Sequence, residues 1–435
     1  MKILYVSQHY PPEMGALSGR ASELAKHWAA AGHESTVLTG FPNHPAGVIA
    51  PEYRSRFRRG FFCESLDGVR VARTWLLPFP NRKPLERILN YTSFCASACV
   101  TGSFLPRPQV VIGTSPPLLI AVAGYVIARV KRVPFIFEVR DLWPESLEGV
   151  GLGANESTIY KIVHHIVKFL YKHSDHIVVV TPAFKDHIVK HWGVAPEKIS
   201  LVYNGVETGT FTPGQPPPEL RRKLGLEGKF IASYIGTMGM AHGLETILEA
   251  AALLRDRLPS LVFLMVGDGT YREKLANEAR ERDLTNIVIL EQQPREAIPD
   301  IIRMSDACLV LLKKSDVFKT VIPTKMLEFM SCGKPSVLGV DGQAREILED
   351  ANAGVCIEPE NAAQLADALA RLQGDPMLRE KLGSNGRQYV VARLSRSTTA
   401  QEYVRVLERV CGLARPSSAE TAAPTISAIE GDTLG

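Results

Sequence analysis

The chain has 435 residues, 45% of them hydrophobic and 22% charged, with a formal net charge of +4. That length favours two domains over three, with full cores, and that mild charge gives no ground by itself for nucleic acid as partner. The charge is unevenly placed: Met1–Gly205 carries 23 Lys and Arg against 15 Asp and Glu, while the remainder carries 27 against 31, so the first half is the basic one.

Short β-branched runs alternate with helical patterns from the start. Ile3–Val6, Thr36–Leu38, Val110–Ile112, Phe135–Glu138 and Ile177–Val180 read as buried strands. Ser22–Ala31 and Leu118–Lys131 read as helices between them, while Asn81–Pro84 and Leu105–Pro108 read as loops. After a Pro-rich joint at Phe211–Pro218 the pattern restarts. Strands are expected at Ile231–Tyr234, Leu261–Val266, Ile287–Leu290, Ala307–Leu311 and Ser336–Leu338. Helices are expected at His242–Arg257, Tyr271–Arg282, Ile298–Met304 and Asn361–Gln373, with a last one at Ser397–Cys411 after a break at Leu394–Ser395. The economical architecture is α/β, two doubly wound units whose strand ends face each other across a cleft. The composition of Pro416–Gly435 predicts a disordered tail.

Seven cysteines without a CxxC pair argue against a zinc site or a disulfide framework; Cys95 and Cys99, four apart in an apolar helical pattern, read as buried small hydrophobes. The N-terminus is too soon polar for a signal peptide, and the longest apolar run, Leu118–Ala128, is too short to cross a bilayer. A reducing cytoplasm is the expected compartment.

Three strand–loop–helix junctions and one helix carry candidate chemistry. The first strand runs into Ser7–Tyr10 and a loop with Gly15 and Ala16 before Ser18-Gly19-Arg20, where main-chain N–H groups can meet a phosphate. Its glycines are spaced wrongly for a dinucleotide fingerprint, and no Walker A motif is present. Glu138-Val139-Arg140-Asp141 crowds acids and an arginine at a strand end; this is either a structural ion pair or a cleft group in which Asp141 holds an acceptor hydroxyl. Gly236-Thr237-Met238-Gly239-Met240-Ala241-His242-Gly243 repeats the first junction in the second unit, and His242 reads equally as a phosphate donor or an exposed helix-start residue. Gly267-Asp268-Gly269 reads first as a turn. In Pro323–Pro335, Lys325 and Glu328 lie three apart on one face of a helical first turn. They suit a nucleoside diphosphate, the lysine on phosphate and the carboxylate on ribose hydroxyls, and they suit equally a surface Lys–Glu pair.

Taken in order, Ala31–Glu34, Val202–Val206, Gly236–Gly243, Val266–Gly269, Ser305–Ala307, Lys325–Pro335 and Gly342–Leu348 resemble the family-4 retaining glycosyltransferases over Met1 to about Cys411. Glu138–Ser146 with Pro323–Glu328 is most similar to the WbuB-like subgroup, which acts in bacterial surface polysaccharide assembly. The resemblance implies the GT-B architecture, two Rossmann-like domains at 1–205 and 206–396, with a final helix crossing back to the first. The first would bind the acceptor and the second the nucleotide-diphosphate sugar, an N-acetylated or deoxy sugar being one candidate class. It implies that Glu328 binds ribose, that Lys325 with the Gly15–Ala16 loop, Gly236 and Thr237 meets the diphosphate, and that Gln292 flanks the base. Lys325, Asp141 and His242 would then form the catalytic set, with Arg20 and Arg140 on the acceptor side.

Two departures stand out. Thr320 occupies the place of a family glutamate that touches the sugar, and Thr237 and His242 stand where the family has Arg and Lys. The resemblance further implies retention of configuration and a lipid-linked (polyprenyl) glycan as acceptor; no metal-binding acidic motif stands out, so neither a metal nor another cofactor is expected. Arg54–Phe62 interleaves Arg58 and Arg59 with aromatics, which suits either the cytoplasmic face of the inner membrane or a solvated basic loop. The alternatives are a GT-B nucleotide-sugar epimerase or hydrolase, and a relative that binds without turnover.

Overall fold

The computed structural model describes residues 1–13, 15–44, 46–80, 83–146 and 158–413. The first unit is built on β1 (Lys2–Val6), α1 (Ala16–Ala30), β2 (Glu34–Gly40), α2 (Arg54–Phe57), β3 (Phe61–Leu66), β4 (Val69–Thr74) and α3 (Pro84–Phe104). It continues through β5 (Val110–Ser115), α4 (Leu118–Lys131), β6 (Phe135–Val139), α5 (Thr158–His173), β7 (His176–Val179), α6 (Pro182–Trp192) and β8 (Ile199–Leu201). These strands form one sheet in the order β3-β4-β2-β1-β5-β6-β7-β8, parallel except for the β3–β4 hairpin. β5 and β6 are buried along their whole length, as the continuous apolar runs require of strands covered on both faces.

The second unit comprises α7 (Pro218–Lys223), β9 (Phe230–Ile235), α8 (Glu245–Leu254), β10 (Leu261–Val266), α9 (Arg272–Glu281), β11 (Ile287–Leu290), α10 (Ile298–Met304) and β12 (Ala307–Leu311). It is completed by α11 (Thr324–Ser331), β13 (Ser336–Gly339), α12 (Gln343–Asp350), β14 (Gly354–Cys356), α13 (Ala362–Gly374) and α14 (Pro376–Arg393). Its parallel sheet runs β11-β10-β9-β12-β13-β14. Leaving aside the β3–β4 hairpin, strand order reverses once in each sheet, between β1 and β5 and between β9 and β12. A crevice opens beyond the strand ends at such a point.

The last helix, α15 (Arg396–Val410), leaves the second unit and packs on α1 of the first. Trp28 anchors it: its Nε1 donates to Ala400 O at 3.2 Å and its ring meets Tyr403 edge-on at 5.2 Å. The chain crosses between units twice at one place, where Val206 pairs with Ser395.

Several expectations need correction. Arg54–Phe62 is not an open loop. Its residues form α2 and the first strand of a hairpin, Phe57 lies edge-on to Phe41 at 5.4 Å, and Arg56 lies over the Phe62 ring at 4.1 Å. The Asp67-Gly68 turn that closes this hairpin was a legible signal. Helix α1 starts earlier than Ser22, so Ser18-Gly19-Arg20 lies inside it. Helix α8 starts at Glu245 rather than His242, because Gly243 is left-handed with φ 56° and breaks the turn that holds His242. Pro84 opens α3 instead of closing a loop, and Cys95 and Cys99 are half-buried at the edge of a core. The tail at 416–435 and part of the Asn81–Pro84 segment lie outside the described residues.

Candidate active site

A cavity of about 610 Å³ occupies the cleft between the two units. Its wall in the second unit starts at Gly236, the residue after β9, and at Lys325, which follows β12 in the first turn of α11. The topology therefore joins them at the strand-order reversal. The fit is close: a Cβ on Gly236 would stand 2.7 Å from Lys325 Nζ, so only glycine leaves the lysine its place. Gly267 is needed for a similar reason, since a Cβ there would sit 1.9 Å from Gly236 O. Gly267-Asp268-Gly269 is thus more than a turn: Asp268 O accepts from Met238 N at 2.8 Å and fastens the two loops together.

Lys325 Nζ is out of contact with solvent and has no hydrogen-bond partner among the described residues; it lies 4.0 Å from the centroid of the Tyr234 ring. Burial lowers its pKa to about 7, although Glu328 pulls the other way. An ammonium group stored in this way, beside the free N–H groups of a helix start, is poised for an anionic ligand. His242 stands on the same wall, and burial, with the Lys325 charge adding to it, lowers the imidazole to about 4. It is a neutral ring near pH 7, with Nδ1 3.3 Å from Gly239 O. It can offer a hydrogen bond but not the charge that a lysine would bring there.

Glu328 is buried, and its Oε1 is 2.7 Å from Arg295 Nη2. Burial pushes this carboxyl up, and Arg295 opposes the rise. The Arg295 guanidinium is itself held over the Phe211 ring at 4.6 Å. Arg295 was not singled out in the sequence, although it follows Gln292-Gln293-Pro294; nothing in the pattern pairs residues so far apart. Gln292 and Thr237 are exposed on the cavity wall, and Gly15 faces it from the start of α1. Ala16 opens α1. Thr320 closes a short turn before α11 and does not line the cavity.

The first unit contributes a buried polar floor. Arg20 donates through Nη2 and Nε to Glu138 Oε1 at 2.8 and 3.1 Å and through Nη1 to Asn204 Oδ1 at 2.8 Å, while Tyr5 donates to Glu138 Oε2 at 2.6 Å. Burial pushes Glu138 up, but Arg20 and Arg140 outweigh it and keep the carboxyl low. Arg140 lines the cavity; Asp141 does not, because successive residues leaving β6 project to opposite sides. Burial raises Asp141 to about 6 against the pull of Arg140. Arg58 and Arg59 are exposed beyond α2 and lie outside the cavity. The expected acceptor-side arginines therefore split, Arg20 and Arg140 in the cleft and the other two on the surface.

Three further groups on this side were missed. Glu13 holds His9 Nδ1 at 2.9 Å and accepts from the N–H groups of Asn43 and His44 at 2.8 and 2.9 Å. Glu23 accepts from Arg396 Nε at 2.8 Å, and Arg396, at 3% exposure, has no hydrogen-bond partner for its Nη1 among the described residues. Arg396 opens α15, so the returning helix supplies part of the site. Among the described residues no group of three or more His, Cys, Asp or Glu is placed to hold a metal.

Two family models match the chain: "Glycosyl transferase 4-like domain" over residues 15–205 and "Glycosyl transferases group 1" over residues 217–389. The chain is 25% identical over 425 residues to the putative colanic acid biosynthesis glycosyl transferase WcaI of Escherichia coli K12, covering 93% of this chain and 99% of that one. Among solved structures it superimposes on sucrose-phosphate synthase from Thermosynechococcus elongatus with a TM-score of 0.74 at 18% identity, over 95% and 99% of the two chains. HepE of Anabaena, solved in complex with UDP-glucose, gives 0.69 at 17% identity over 94% and 100%. Both neighbours share the two-unit fold. With its two units matched in order by those models, the chain belongs to the family-4 glycosyltransferases of GT-B fold.

Proposed function

We propose that the protein is a retaining glycosyltransferase that moves a sugar from a nucleoside-diphosphate donor to a lipid-linked glycan during bacterial surface polysaccharide synthesis. The observation that carries the donor half is Lys325 Nζ, buried against Gly236 in the inter-unit cleft and without a hydrogen-bond acceptor among the described residues. A buried cation without a partner is costly unless a ligand completes it. The WcaI relative supports the polysaccharide setting, and the UDP-glucose complex of HepE supports a sugar nucleotide in this cleft.

In this reading the diphosphate lies between Lys325 and the N–H groups of the Gly15 and Gly236 loops, and the ribose hydroxyls donate to the Glu328 oxygen not engaged by Arg295. The bond from the sugar C1 to the β-phosphate oxygen breaks, and the acceptor oxygen bonds to C1 on the same face. The acceptor's proton passes to the departing phosphate oxygen. Lys325 acts by stabilising negative charge as it collects on the leaving diphosphate, and His242 adds a neutral hydrogen bond. Arg20 and Arg140 present the acceptor, and Asp141, outside the wall, enters only through the charge it sets beside Arg140. No step calls for a metal.

The test is product analysis with radiolabelled nucleotide sugars and a polyprenyl-diphosphate glycan, with and without EDTA. Transfer with retained anomeric configuration in EDTA is expected. Free sugar, an epimerised donor, or binding without turnover would each overturn the reading.

A further inference from the structure

The outer face of α3 carries exposed side chains that no described element of the fold covers. Leu85, Ile88, Leu89, Val100 and Phe104 are all exposed, Leu85 by 67%, Val100 by 61% and Phe104 by 86%. Their spacing, with Thr92 and Ala96 exposed between them, follows one stripe along the 21-residue helix. From Ile88 to Pro106 the chain has no charged residue. A helix facing water ordinarily carries its charges on that outer face. The opposite face is committed to the fold: Phe94 and Ala98 enter the core, and Asn90 accepts from Gln8 at 2.5 Å and donates to Asn43.

We propose that this stripe seats in the acyl–headgroup boundary of an anionic bilayer. The charges around its C-terminal end favour lipid over a second copy of the chain. Arg107 donates to the carbonyls of Lys131 and Arg132, and Lys131 donates to those of Ser103 and Leu105, so neither cation spends its charge on a carboxylate. Arg129 has Asp175 at 2.6 Å, and Val130 is exposed beside them. Two copies meeting on this face would bring like charges together, whereas anionic headgroups neutralise them. The apolar stripe supplies the buried area and the cations supply the attraction.

The stripe also starts at the right place. Asn90 ties the first turns of α3 to the loops of Gln8 and Asn43, and those loops carry Glu13 and His44 into the cleft. A membrane lying on α3 would therefore border the first unit's side of the cavity. That role in delivering a lipid-linked acceptor rests on the transferase reading; the lipid contact itself does not. Arg58 and Arg59 are not needed for it.

Co-sedimentation of the full chain with phosphatidylglycerol–phosphatidylethanolamine vesicles, against phosphatidylcholine vesicles, tests the surface. The wild type should pellet with the anionic vesicles and lose part of that binding at high salt. The double variant Val100→Asp, Phe104→Asp should bind at least about tenfold more weakly, with unchanged circular dichroism and an unchanged thermal shift on adding UDP. Met377→Asp, at an 81% exposed apolar site in the second unit, should bind as the wild type does. Undiminished binding by the double variant would overturn the proposal. So would a wild type that ignores vesicles but forms a dimer that the double variant abolishes. Vesicle binding without sugar transfer would leave this surface standing and defeat the transferase reading alone.

Discussion

Arg295 Nη2 lies 2.7 Å from Glu328 Oε1, so the carboxylate expected to meet ribose is already ion-paired on one oxygen. The arginine opposes the rise that burial imposes on this carboxyl and engages one of its oxygens, which leaves the other to face ribose hydroxyls.

Removing the arginine takes away the main influence opposing burial; burial and the Glu23 charge then raise the carboxyl further, with only Lys325 pulling the other way. For Arg295→Met, nucleoside-diphosphate affinity should fall by about tenfold, in line with about 1.5 kcal/mol for one charged hydrogen bond. Its decline with acidity should also begin at higher pH than in the wild type. Calorimetric titration with UDP, GDP and ADP between pH 5 and 8 reads both effects, and an unchanged pH profile would contradict the assigned role.

Lys325, lowered to about 7 by burial, is only partly charged in the empty cleft near neutrality. A bound diphosphate favours the ammonium form, so binding takes up a proton above that pH. Above pH 7 affinity should weaken by up to about tenfold per unit as pH rises, a limb separate from the acid-side decline set by Glu328. Lys325→Met should abolish this limb and weaken binding at pH 6 by about 10- to 100-fold.

The same lysine should cost stability in the empty protein. Its folded pKa lies below the ordinary 10.5, so the penalty is fully present below about pH 7 and disappears as pH rises towards 10.5. Lys325→Met should therefore stabilise the ligand-free chain by about 1 kcal/mol, about 2 °C or more in Tm, at pH 6 and by less at pH 9. A lower Tm at pH 6 would show that the ammonium group is not strained in the cleft.

Glu138 holds Arg20 in the floor of the first unit, so Glu138→Gln leaves a buried guanidinium short of its counter-charge. The expected loss is about 3–5 kcal/mol, visible as a fall in Tm. The carboxyl is held low, so its contribution is present above its ordinary value of 4.5 and is lost as pH falls through its lower folded value. The gap between variant and wild type should persist down to about pH 4.5 and narrow only in stronger acid.

The parallel strands were legible because burial on both faces leaves nearly pure apolar runs, as at Leu261–Val266. The β3–β4 hairpin was not, because Arg58 and Arg59 drew attention to charge and away from the Asp67-Gly68 turn. At the site, Lys325, Glu328 and Gly236 could be found from strand–loop–helix junctions alone. Arg295, Glu23 and Arg396 could not. Arg295 reaches Glu328 from another strand end, and Arg396 reaches Glu23 only because α15 returns to α1. Such pairs are set by the fold, and local spacing carries no trace of them.

Lys325 and Glu328 are proposed to hold a nucleoside diphosphate together. The direct measurement is titration of the full chain with a panel of nucleoside diphosphates, repeated on Lys325→Ala and Glu328→Ala. Saturable binding by the wild type, weakened at least about tenfold by each substitution with circular dichroism unchanged, is the predicted result. Nucleotide affinity that both variants retain in full would contradict the account.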